Sequence, residues 1–247
     1  MAVFRHLGAL LRVLRAVVHG LRGLWIIRRR FPRFTPAERD ANITAWTHRM
    51  LAIYNIALRV EGERPAGGPL LLVGNHTSWV DILAVQAART SRFVAKSDIR
   101  NWPLIGPVTA GVGTLFIERA SRRDALRTVQ RMAESLQAGD IITVFPEGTT
   151  TDGRSLLPFH GNLLQAALAT DSPVLPVGIH FVDAATGAPT YVAAYAGDDT
   201  LMGSLWRTLT ADPIVAVVRF GSPQRAAGRD RRQWAEDLHA EVDRLRQ

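Results

Sequence analysis

The chain has 247 residues, 47% hydrophobic and 21% charged. That describes a folded protein with room for one sizeable domain and an accessory segment, not a disordered chain. It has no cysteine, which excludes disulfide scaffolds, cysteine nucleophiles and cysteine metal sites and leaves the redox compartment open. The net charge of +8 favours an anionic partner: nucleic acid, a membrane surface or an acidic substrate. Lys96 is the single lysine among 30 basic residues, a bias that points to a GC-rich genome and not to function.

Residues 3–27 are apolar but interrupted by charge. Arg5, Arg12, Arg15, His19 and Arg22 fall within about 100° of helical arc, and Leu7, Leu10, Leu11, Leu14, Val17, Val18 and Leu21 occupy the opposite face. No uncharged apolar run approaches the roughly 18–20 residues of a spanning helix. The pattern predicts a helix lying in a membrane interface. Two other readings compete: packing on the protein itself, and a signal peptide, which internal arginines and the lack of an Ala-x-Ala site oppose. Arg28, Arg29, Arg30 and Arg33 follow as a basic cluster suited to anionic headgroups. Thr35-Pro36-Ala37-Glu38 then starts a second helix with an N-cap, a proline at its first position and a capping-box glutamate. Ile43, Trp46, Met50, Tyr54 (or Ile53) and Ala57 recur along it at helical spacing. The two helices make a hairpin, whose alternative is core packing against the main domain.

The Gly- and Pro-rich stretch 62–69 is the clearest break, dividing a helical, membrane-associating segment 1–61 from a domain 62–247. Beyond it, strands are predicted at 70–73, 92–95, 114–118, 141–145 and 174–181, alternating with helices at 82–89, 102–110, 124–137 and 163–169. Alternation of this kind implies an α/β fold with a mixed, largely parallel sheet flanked by helices. Residues 191–195 and 214–220 read as further strands, antiparallel or at an edge, and 229–244 as a terminal helix.

The stretch Asn75-His76-Thr77-Ser78-Trp79-Val80-Asp81 stands at the first of these strand-to-helix junctions. Five residues along one helix rotate by roughly 140°, so His76 and Asp81 meet only if the histidine lies in the turn and the acid in the first helical turn. A carboxylate on Nδ1–H would hold the imidazole as a general base with Nε2 free. Ser78-x-x-Asp81 is equally a capping-box variant, so a structural reading stands beside the catalytic one. Ligands of open α/β sheets sit beyond the carboxyl ends of the strands, which would gather His76, Asp81, Arg119, Glu147 and Gly148 in one cleft. Arg119 has a guanidinium fork suited to phosphate or carboxylate, or it pairs with Glu118. There is no phosphate-binding loop, dinucleotide fingerprint, His-Glu-x-x-His or Gly-x-Ser-x-Gly. His6, His19, His48, His76, His160, His180 and His239 show no metal-ligand spacing, and the dispersed arginines argue against a nucleic-acid partner.

Four segments together carry a resemblance: N-H-x-x-x-x-D at 75–81, G-T-L-F-I-E-R at 113–119, F-P-E-G-T at 145–149 and V-L-P-V-G-I at 174–179. In order and spacing they resemble the four blocks of the glycerolipid acyltransferases, of the lysophosphatidic acid (1-acylglycerol-3-phosphate) type, over about residues 70–220. The resemblance implies that His76 deprotonates a lysolipid hydroxyl, that Asp81 orients His76, and that the alkoxide attacks the thioester of acyl-CoA or acyl-carrier protein directly. It implies no cofactor beyond that donor substrate. Arg119, Glu147 and Gly148 would bind the acceptor's polar head, with Asn75, Gly113, Thr114, Phe116 and Thr149 as further substrate-binding positions of the blocks. Pro176 marks a segment associated with the donor or the core. The implied location is the cytoplasmic face of the inner membrane, on an anionic surface. One position departs: many phosphatidate-forming members carry arginine after F-P-E-G-T, where this chain has Thr150. A lyso-ornithine lipid or another lysolipid is therefore an alternative acceptor. A non-catalytic lipid-binding protein is the alternative outside enzymes, and the intact set His76, Asp81 and Glu147 argues against it.

Overall fold

The computed structural model describes residues 2–118 and 122–247. Without a proline to interrupt it, the first segment forms one long helix, α1 (Ala2–Arg29). A 3-10 turn at Phe31–Arg33 leads to α2 (Pro36–Ile53), which opens on the predicted Thr35/Glu38 capping box. α2 stops where Asn55 takes a left-handed φ of 63°, a conformation that Asn tolerates better than most residues. The helix therefore does not reach Ala57. Residues 56–61, predicted as the end of the helical segment, form a strand, β1 (Ile56–Glu61). It belongs to the same sheet as the strands beyond the 62–69 break.

The alternating pattern then follows as β2 (Leu70–Gly74), α3 (Trp79–Ala88), β3 (Arg92–Lys96), α4 (Ile105–Gly111), β4 (Leu115–Ile117), α5 (Arg122–Gln137), β5 (Ile141–Val144), α6 (Gln165–Thr170), β6 (Val174–Asp183), α7 (Leu201–Thr210), β7 (Ile214–Phe220) and α8 (Arg231–Leu245). Among the described residues the strands form one sheet in the order β1-β7-β6-β2-β5-β3-β4. Every neighbouring pair is parallel except β6 with β7. Strand β7 is thus antiparallel, as anticipated, but it is covered by β1 and is not an edge.

The strand predicted at 191–195 is absent. Its backbone is used differently: Ala194 N turns back to the Tyr191 carbonyl, and the Ala194 carbonyl accepts from the Ser204 hydroxyl. Tyr195 N donates to the Thr77 carbonyl at 2.8 Å, so the segment crosses the end of the sheet and covers the turn after β2. Helix α7 was not anticipated; it is capped by Thr200, whose hydroxyl accepts from Gly203 N.

Strand β2 is apolar on both sides because both sides are covered. Leu70 and Leu72 face one core with Val80, Ala84 and Val85 of α3. Leu71 and Val73 face another with Met132 and Leu136 of α5 and Trp234 and Leu238 of α8. The central strand is therefore fixed in register, and the residues that follow it emerge at one defined place. Helix α1 lies outside both cores, held to α2 by a reciprocal pair: His19 Nε2 lies 3.0 Å from the Trp46 carbonyl, and Trp46 Nε1 donates to the His19 carbonyl at 3.1 Å.

Two imidazoles are pushed below their ordinary pKa, both chiefly by burial: His19 in this helix pair, with Arg22 and Arg49 adding to the effect, and His180 on β6 beside Arg219. Each binds a proton less readily folded than unfolded. Its contribution to stability is thus present above about 6.5, the unfolded value, and lost as pH falls through the folded value. Thermal unfolding followed from pH 8 downward should show the midpoint dropping below about pH 6.5. His19→Gln and His180→Gln should each flatten that slope; unchanged slopes in both would contradict the assignment.

Candidate active site

The buried end of β2 delivers Asn75 and His76 into a tight turn, and Ser78 caps α3. Asp81 is the third residue of the helix and its side chain has no exposed surface. Its Oδ2 accepts from Thr77 N at 2.7 Å, from Ser78 N at 2.8 Å and lies 2.8 Å from His76 Nδ1. The cap and the base-orienter reading are therefore one arrangement: the carboxylate that starts α3 also holds the imidazole. The two N–H groups and the positive end of the helix keep a buried negative charge satisfied. With Nδ1–H given to Asp81, Nε2 is the atom left for chemistry, and the His76 side chain is 18% exposed. The ring lies flat against Phe145, centroids 4.1 Å apart and planes within 7°. Phe145 leans in turn on Phe93. Phe145 was not singled out as a site residue, although it opens the F-P-E-G-T block; a ring partner for the histidine leaves no spacing signal in sequence.

The turn is clasped from a second loop. Glu147, 4% exposed, accepts from His76 N through Oε1 at 2.7 Å and from Leu157 N through Oε2 at 2.9 Å. Thr151 N returns a bond to the His76 carbonyl at 3.0 Å. Burial raises the Glu147 pKa, and the two backbone donors and His76 oppose that rise. Gly148 adopts φ 73°, which a side chain would strain, and its N–H donates to the Phe145 carbonyl. Thr149 is exposed at the loop surface and Thr150 lines the cavity described below.

Other predicted positions are distributed. Asn75 is buried, with both ends of its amide on the Ile179 backbone: Nδ2 to the carbonyl and Oδ1 from the N–H, each 2.8 Å. Its amide splices β6 to the turn that holds His76, as a buried amide must satisfy its hydrogen bonds locally. Pro176 is buried in β6 opposite Val73, as a sheet residue. Gly113, at φ 86°, offers its carbonyl to Arg92 Nε at the sheet edge. Thr114 lines the cavity, and Phe116 is half-buried with the Arg100 guanidinium 5.7 Å over its ring. Arg119 lies outside the described residues.

An apolar cavity of about 520 Å³ runs from His76 beneath α1. Trp79 and Ile82 of α3, Phe93 of β3, Val108 of α4, Met50 of α2 and Ala16 of α1 contribute to its wall. Trp79 is fixed there by Tyr54, packed edge-on with its hydroxyl pKa pushed up to about 12 by burial, and by an Nε1 bond to Ser204. The one imidazole is thus placed where a long apolar group and a polar head can meet.

A His–Asp pair at the carboxyl end of a largely parallel sheet thus opens on an apolar cavity in an α/β fold. The family model for the acyltransferases matches residues 56–180, and the chain belongs to that family. It is 37% identical over 235 residues to a lyso-ornithine lipid O-acyltransferase of Pseudomonas aeruginosa, covering 94% of this chain and 89% of the relative. It is 36% identical over 213 residues to a 1-acyl-sn-glycerol-3-phosphate acyltransferase of Neisseria gonorrhoeae, covering 85% and 80%. The crystal structure of the 1-acyl-sn-glycerophosphate acyltransferase PlsC from Thermotoga maritima superposes with a TM-score of 0.78 over 99% of this chain and 95% of that one, at 24% identity, and shares its fold. The protein is an acyltransferase of the lysolipid type.

Asp81→Asn should reduce kcat by about 10²–10⁴-fold, since a neutral amide cannot offset the charge of an imidazolium, and an NH₂ turned toward Nδ1 would reverse the tautomer. Glu147→Gln turns an NH₂ toward either His76 N or Leu157 N and should cost about 1–3 kcal/mol of stability together with a lower kcat. Steady-state rates and denaturant titrations of the two variants check both; wild-type kcat in Asp81→Asn would remove the carboxylate from the mechanism.

Proposed function

We propose that this protein transfers a fatty acyl chain from a thioester, on CoA or acyl-carrier protein, to the free hydroxyl of an anionic lysolipid at a membrane surface. The 1-acylglycerol-3-phosphate acceptor, yielding phosphatidic acid, is the first reading. His76 Nε2 takes the hydroxyl proton as the oxygen attacks the thioester carbonyl. The tetrahedral intermediate collapses with loss of the thiolate, which receives the proton from the imidazolium. Asp81 holds the tautomer and offsets the imidazolium charge, and no acyl-enzyme is needed. The observation that carries this reading is the 2.8 Å His76 Nδ1–Asp81 contact beside the apolar cavity, which accommodates an acyl chain with its reactive end at Nε2.

A second acceptor has its own support. Thr150 stands where a phosphate-binding arginine would strengthen the first reading, and the loop holds Asp152 and Arg154 side by side, 3.5 Å apart. Such a pair suits a headgroup that carries both an amine and a carboxylate, as in a lyso-ornithine lipid. The Pseudomonas aeruginosa relative, aligned over 94% of the chain, bears that activity in its name.

Location at a membrane is supported by α1. Leu7, Leu10, Leu14 and Leu21 are each more than half exposed, while among the described residues no helix is long and apolar enough to cross a bilayer. The inner membrane's cytoplasmic face is the proposed site of action.

Thiol release from palmitoyl-CoA and from acylated carrier protein, with 1-acylglycerol-3-phosphate and lyso-ornithine lipid as acceptors, tests the reading. Release should require an acceptor and fall to background in His76→Ala. Preference for 1-acylglycerol-3-phosphate supports the first acceptor and preference for lyso-ornithine lipid the second. Undiminished turnover in His76→Ala would overturn the mechanism.

A further inference from the structure

The membrane reading of α1 leaves open which other element touches lipid, and the sequence pairs α1 with α2. The side chains say otherwise. Of the large apolar residues of α2, Ile43, Met50 and Leu51 are buried, Ile53 is half-buried, and half-buried Trp46 is stacked on His19 of α1. Helix α7 buries Ser204, Thr208 and Leu209, 0%, 4% and 0% exposed, yet turns two large apolar residues outward, Met202 and Trp206, 66% and 36% exposed. Its hydroxyls are satisfied inward: Ser204 accepts from Trp79 Nε1 and donates to the Ala194 carbonyl, and Thr208 donates to the Ser204 carbonyl. The charged residue on its exposed side, Arg207, is turned onto Asp199 and the Val192 carbonyl.

Three contacts fasten α7 and the residues just after it to the side of α1. Arg12 donates to the Leu209 carbonyl at 2.6 Å, Arg5 pairs with Asp212 at 2.8 Å, and His6 stacks on Trp206 with planes within 4°. His6 stands one helical turn before Leu10, so Trp206 adjoins the exposed apolar face of α1. Exposed Arg15, Arg22, Arg28 and Arg29 on α1 match anionic headgroups. Tryptophan favours the depth at which a ring meets both acyl chain and headgroup. The apolar cavity joins the same surface: Val17 of α1 and Met202 of α7 line it and are both exposed.

We propose that α7 is seated in the lipid interface beside α1, so that the bilayer-facing surface is built by α1 and α7 while α2 stands off it, and that the cavity opens to lipid between them. The partner is an anionic phospholipid surface. The proposal rests on the membrane reading of α1, from which its test must be separable.

Vesicles of phosphatidylglycerol and phosphatidylcholine carrying acyl-chain-brominated lipid quench tryptophans that enter the bilayer. The difference between wild-type emission and that of Trp206→Phe isolates α7; the difference from Trp25→Phe isolates α1, where Trp25 is 54% exposed. Both difference spectra should lose intensity on brominated vesicles. Quenching of Trp25 with none of Trp206 would overturn the α7 proposal and leave the α1 reading intact; no quenching of either would overturn both. The chain has no cysteine, so Met202→Cys and Ala45→Cys carry a single polarity-sensitive dye each, on α7 and on the exposed side of α2. A blue shift with vesicles at 202 and none at 45 supports the pairing; a shift at 45 with none at 202 reverses it.

Discussion

A carboxylate with no exposed surface is the constraint on which the site depends. Asp81 can stay buried and charged only if donors surround it, and the start of a helix supplies two at no further cost in side chains. The third donor is the histidine. Because Thr77 N and Ser78 N fix the carboxylate, the imidazole has one orientation in which its Nδ1–H is satisfied, and Phe145 closes the face behind it. Loss of the helix start and loss of the imidazole's orientation are therefore the same event.

The surroundings repeat this economy. Glu147 uses both oxygens to tie the backbone of the catalytic turn to the loop after β5, and Asn75 uses both ends of its amide to tie it to β6. Two segments remote in sequence, the loop after β5 and β6, thus converge on the turn of His76 through buried polar side chains. A network of this kind is rigid where it is complete and costly where one member is removed. Asn75 and Glu147, which the resemblance assigns to substrate binding, both bond to backbone in or beside this turn.

The central strand, the order of the alternating elements and the His76–Asp81 pair were legible in the sequence, since each rests on local pattern: an unbroken Leu70–Val73 run, periodic apolar residues, and a capping box. What was not legible depends on partners distant in the chain. Residues 56–61 alternate Ile56, Leu58 and Val60, but Ala57 also continues the spacing of α2, and only the left-handed Asn55 and the pairing with β7 decide for a strand. Tyr191–Tyr195 has strand-like composition, yet its hydrogen bonds go to Thr77 and to α7. Helix α7 escaped notice because it is short and mixes buried hydroxyls, Ser204 and Thr208, with outward Met202 and Trp206, which blurs the pattern that marks a surface helix. The roles of Asn75 and Phe145 are set by contacts with Ile179 and His76 that no spacing encodes.

The outward apolar face of α1 has a consequence for how such an enzyme experiences its substrate. With α1 seated on lipid as proposed, the acceptor never has to leave the bilayer for its hydroxyl to reach Nε2. The quantity that sets the rate is then the mole fraction of lysolipid in the surface, not its amount per volume of solution. Diluting the acceptor with inert lipid at constant total acceptor would slow the reaction as surely as removing it, and adding water would not. Catalysis of this kind takes place in two dimensions, and its natural unit of concentration is an area.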